Sequence, residues 1–99
     1  MRSKTPMTSP ERSAAAEQLA LAALAFLAAD TTRLGAFLAA TGLGPENLRE
    51  AARNPSFLPG VLDYILSDEP MLVAFAAEES IDPKVVAEAR QVLAPAWEH

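Results

Sequence analysis

The sequence predicts an all-α fold: a compact six-helix bundle built from two tandem three-helix units. Three observations carry this reading. Helix-start signals, a small polar residue or glycine just ahead of a proline, recur along the chain. Between them apolar residues fall at three- and four-residue spacing, with no alternation and no β-branched run to mark a strand. Sliding the chain against itself by 38 residues aligns 19–53 with 57–91 without a gap, with nine identities in 35 pairs.

The first helix is opened by Ser9-Pro10-Glu11 and placed at about 13–29; its run Leu19–Ala29 is apolar nearly all round and so requires burial on several sides. Asp30, ahead of Thr31-Thr32-Arg33, caps a second helix over 31–41 with Leu34, Phe37 and Leu38 on one stripe. Gly42 and Gly44 flank Leu43 and suit a left-handed stop before the chain restarts. Gly44-Pro45-Glu46 begins a third helix over 45–53. Asn54-Pro55-Ser56 begins a fourth over 56–67, striped by Val61, Leu62, Ile65 and Leu66. Asp68-Glu69-Pro70 opens a fifth over 69–79 through Leu72 and Phe75. Asp82-Pro83-Lys84 opens a sixth over 83–94, with Val85, Val86, Ala89 and Val92, which Ala94-Pro95-Ala96 stops.

At 99 residues the chain suits one domain. Residues 1–12 are polar, hold two prolines, and read as a disordered N-terminal tail; 13–94 form the single helical domain and 95–99 a C-terminal tail whose Trp97 is expected to pack back. The apolar run comes after a basic start, as in a secretory signal, but Glu11 and Glu17 interrupt the approach. Its eleven residues fall short of the roughly 20 that span a bilayer, so a cytoplasmic location without membrane contact is expected.

Six identities of the internal match lie outside the alanine bias, among them Leu34/Leu72, Phe37/Phe75, Asp30/Asp68 and Pro45/Pro83. These are the anchors, caps and starts a three-helix unit needs. One such unit is too small to bury much surface, so two units should pack face to face, with the first and fourth helices as the central pair. The units differ in charge: 19–53 balances to zero, whereas 57–91 carries seven acids against two bases.

Chemistry is narrowed by what the chain lacks. There is no cysteine, and the single histidine is the last residue, which excludes thiol, disulfide and zinc-knuckle chemistry and leaves no nucleophile–base pair. Asp68-Glu69 and Glu78-Glu79 are adjacent in sequence, so on a helix they diverge by about 100° and do not converge on one atom. No loop offers regularly spaced oxygen ligands, and Gly42-Leu43-Gly44-Pro45 lacks the lysine and hydroxyl of a phosphate loop. No catalytic, cofactor-binding or metal-ligating residue is therefore assigned, and no cofactor is expected. A net charge of −5 opposes nucleic acid, and Glu46, Arg49, Glu50 and Arg53 pair on their own helix face.

Another protein remains as the expected partner of a non-enzymatic, regulatory interaction module. The candidate surface joins Phe57, Leu58 and Met71 to Glu78, Glu79 and Asp82 of the acidic unit. The alternative is a DNA-associated regulator, since two helices joined by a glycine turn can mimic a helix-turn-helix. An enzyme with carboxylate chemistry is a third reading, and self-association through leftover apolar surface is left open.

The run DTTRLGAFLAATGLG at 30–44, with NPSFL at 54–58 and VLDYILSDEP at 61–70, resembles a family of small uncharacterised bacterial proteins, chiefly alphaproteobacterial, catalogued as a domain of unknown function. The resemblance covers about residues 14–92 and implies an all-helical fold. It brings no activity, cofactor or catalytic residue.

Overall fold

Local signals set most of the element boundaries. In a computed structural model, whose described residues are 9–93, the chain forms α1 (Ser9–Ala28), α2 (Thr31–Thr41), a 3-10 turn (Pro45–Asn47) running into α3 (Leu48–Ala51), α4 (Phe57–Leu66), α5 (Glu69–Glu79) and α6 (Pro83–Val92). No strand occurs among the described residues. The expected caps are formed. The Asp30 carboxylate accepts from the Thr32 and Arg33 amides at 2.8 and 3.2 Å, Asp68 from Met71 at 3.1 Å, and Asp82 from Lys84 at 2.8 Å. Each satisfies N–H groups that a helix start leaves without a carbonyl.

Two boundaries differ from the sequence reading. α1 already runs from Ser9, with Pro10 and Glu11 in its first turn, so residues 9–12 belong to the helix and not to a tail. Met1–Thr8 and residues 94–99, including the expected tail and Trp97, lie outside the described residues. The third helix is a 3-10 turn and a single α-turn, not a helix through residue 53. The Arg53 and Asn54 amides reach only three residues back, to Glu50 and Ala51, and the Asn54 side chain accepts from the Ser56 amide and hydroxyl. Asn54 also precedes Pro55, which disfavours helical backbone there.

At the turn after α2 the backbone is left-handed at Gly42 (φ 77°), and after α5 at Ser80 (φ 59°). In both, the next amide reaches back five residues, Leu43 to Leu38 at 3.1 Å and Ile81 to Ala76 at 2.9 Å, closing a Schellman-type stop.

The sequence expected α1 and α4 as the central pair. They do pack, but α6 joins them, and α1 packs most extensively on α6. Ala16, Ala20, Ala23 and Leu27 of α1 meet Val61, Leu62 and Ile65 of α4 and Val86 and Ala89 of α6 in one core. Alanines on α1 let the helix axes approach closely, which is how a helix apolar all round finds cover on several sides. α2 turns 113° from α1 and lies across one end. Its Phe37, 1% exposed, meets Tyr64 edge-on at 5.2 Å and Phe57 at 6.4 Å. Phe75 of α5, fully buried, packs on Phe26 of α1 at 5.4 Å.

Candidate interaction groove

Arg12, Ala15, Leu19, Ala22 and Phe26 succeed one another at three- and four-residue steps, so they share one side of α1, which Ala29 continues just past its end. That side stays partly open along its length. In its first half, Arg12, Ala15, Ala16 and Leu19 face Val85, Glu88, Ala89 and Val92 of α6 across a groove of about 280 Å³. The groove continues past Ser9, Ser13 and Gln91 at the end of α6. Ala15, Ala16 and Ala89 carry no side chain beyond the methyl, so the two helices touch at their cores and gape toward solvent. Val85 is left 38% exposed on the wall. Arg12 and Glu88 line the groove and have no ion-pair partner among the described residues. The ion pair present there, Arg90 with Asp63 at 2.7 Å, ties α6 to α4.

In its second half the same side of α1 forms another cavity of about 280 Å³. Ala22, Ala25, Phe26 and Ala29 make the floor, Arg33 closes one end and Glu78 and Glu79 of α5 stand opposite. Arg33 is committed to the fold. Its guanidinium lies 4.0 Å from the Phe26 ring centroid and donates to the Phe26 carbonyl at 3.3 Å, satisfying an acceptor in the last turn of α1.

The six residues singled out from the sequence are not brought onto one surface. Phe57 is buried against Phe37 and offers no ring to a partner. Pro59 beside it is buried too, and Leu58 and Met71 are half-buried against the core. Asp82 is exposed and occupied in capping α6. Glu78 and Glu79 are exposed and line the second cavity. The groove on α6 was missed because Val85, Val86, Ala89 and Val92 read as one buried stripe. Their arc is wider than one buried face: Val86 and Ala89 point inward, while Val85 does not.

Among the described residues there is no buried polar or charged residue, and no group of three or more histidines, cysteines or carboxylates placed to hold a metal ion. No single helix among them is long and apolar enough to cross a membrane. Of the pair that could mimic a helix-turn-helix, the second member, α3, is one turn long and supplies no helix to lie along a DNA groove.

Fold and site together define a small all-helical domain with an open apolar groove along its first helix. The chain matches, over residues 13–96, the family described as "Protein of unknown function (DUF3572)", and it belongs to that family. No curated protein and no solved structure matches it.

Proposed function

We propose that this protein is a non-enzymatic, cytoplasmic interaction module that regulates a partner protein by taking one of its helices along the open side of α1. The single observation that carries this is the α1–α6 groove. A floor of small residues between two helices admits a third helix closely, by the helix-in-groove mode. The charges select the partner. With Arg33 engaged, Glu88, Glu78 and Glu79 outnumber Arg12 along this side, so the helix that fits is apolar on one face and basic beside it.

Recurrence at a spacing of 38 residues supports reading the domain as a tandem duplication. Cap Asp30 recurs as Asp68, left-handed Gly42 as Ser80, and Phe37 on Tyr64 as Phe75 on Phe26. On this reading the second unit acquired the acidic surface and the α6 wall of the groove.

Capture from host lysate on immobilised full-length protein tests the function when done with variants. Ala15→Glu and Val85→Glu alter exposed positions and are expected to abolish capture of the partner, while Arg49→Glu on α3 leaves it intact. Capture should also weaken with salt. Equal capture by all three variants would refute the groove.

A further inference from the structure

We propose that the partner helix is read at two points along α1, about eleven of its own residues apart. An apolar side chain enters the cavity beside α6, and one lysine or arginine enters the cavity beside α5. This rests on the groove being the docking surface and adds the pattern that the surface recognises. α1 and α6 run antiparallel, since Ser9 and Ser13 at the start of α1 lie beside Gln91 and Val92 at the end of α6. The wall facing α1 therefore runs back from Val92 to Val85 and on, through the turn before α6, to Glu79 and Glu78. The two cavities are parts of one channel.

The cavities differ in charge. Arg12 and Glu88 balance in the first, whose remaining lining is apolar, so an apolar side chain enters it without leaving a charge unmatched. In the second, Glu78 and Glu79 outweigh Arg33 by one, and neither carboxylate has an ion-pair partner among the described residues. One cation completes that balance. Its aliphatic stem covers Ala22, Ala25 and Ala29 while the charged head reaches the carboxylates at the rim.

The geometry of α1 sets the spacing. Each of the four residues lining the first cavity from this side, Arg12 to Leu19, has a counterpart ten residues on in the second, Ala22 to Ala29. Ten residues rise about 15 Å and stop about 80° short of three full turns, an arc of about 7 Å at the helix surface. The path between the cavities is then about 16.5 Å, the rise of about eleven residues. Eleven residues also bring a helix within about 20° of three full turns, so both side chains leave the partner from one face.

Two dye-labelled, alanine-based helical peptides, titrated with the full-length protein and followed by fluorescence anisotropy, test this. Both carry a central leucine pair four residues apart and one lysine on either side, so either direction of binding is served. The lysines stand eleven residues from the nearer leucine in one peptide and nine in the other, which turns them to the opposite face. The eleven-spaced peptide is expected to bind about three- to tenfold more tightly at low salt. Glu78→Gln with Glu79→Gln should erase that preference. Glu46→Gln with Glu50→Gln, the same loss of charge outside both cavities, should keep it.

Equal binding of the two peptides, no binding of either, or a preference that survives substitution of Glu78 and Glu79 would overturn the two-point reading. The docking surface fails separately. Weaker binding of both peptides to Ala15→Glu, with no preference between them, leaves the groove standing without the pattern. Lysate capture indifferent to Ala15→Glu and Val85→Glu removes the groove and the pattern together.

Discussion

The 3-10 turn that leads into α3, and α6 itself, begin with the same signal, Pro45 and Pro83, 38 residues apart, and develop differently. Both starts have proline in the first turn behind an extended residue, Gly44 in one case and Asp82 in the other. Beyond that, α6 continues to Val92 and buries Val86 and Ala89 against α1 and α4. The corresponding Leu48 and Ala51 are half-buried, and their helix ends at Ala51. Start signals therefore fix where a helix begins. Its length depends on whether a neighbour covers it and on the residues at its far end, Asn54-Pro55 after α3 but Gln91-Val92 in the last turn of α6. Helical stability in proteins comes mostly from that cover.

The largest effects should come at the two phenylalanines that the 38-residue spacing pairs. Phe37→Ala and Phe75→Ala each remove a side chain at most 1% exposed from an aromatic pair that reaches into the other half. Each should cost about 3–5 kcal/mol in urea unfolding. A cost confined to one of them would break the correspondence. Between α6 and α3, Val86→Ala should cost about 2 kcal/mol, and Leu48→Ala about half of that despite its larger side chain. Equal losses would mean that α3 is as well covered as α6.

The smallest effects are expected at the two left-handed stops, with opposite signs. Gly42→Ala places a methyl at φ 77°, with open space around it, so backbone strain alone should cost about 1 kcal/mol. Ser80→Gly relieves the same strain at φ 59° and should stabilise by about 0.5 kcal/mol, since glycine's freedom in the unfolded chain offsets part of the gain. Thermal melts of the pair sharpen the comparison.

What the sequence revealed was local chemistry. Asp30, Asp68 and Asp82 act within two or three residues, and Gly42 answers to its own φ, so caps, stops and most helix ends could be read one segment at a time. Phe37 and Phe75 also stood out, because each recurs as the other's match at the 38-residue spacing. The place of α6 in the core was not legible, because it depends on which helices meet. Phe57 looked like an exposed corner for the same reason: nothing near it in sequence shows that Phe37 covers it. The groove escaped notice because it consists of small side chains, and a missing volume between two helices leaves no mark in either one alone.

The packing of α1 on α6 also orders events during synthesis. The 54 residues between Ala28 and Pro83 must be added before α1 meets its main neighbour, which takes roughly 3–11 s at ribosomal rates. For that interval Ala16, Ala20 and Leu27 lack the cover they have in the finished core. The nascent chain thus presents an apolar helix early, and that helix gains its main cover only when α6 arrives.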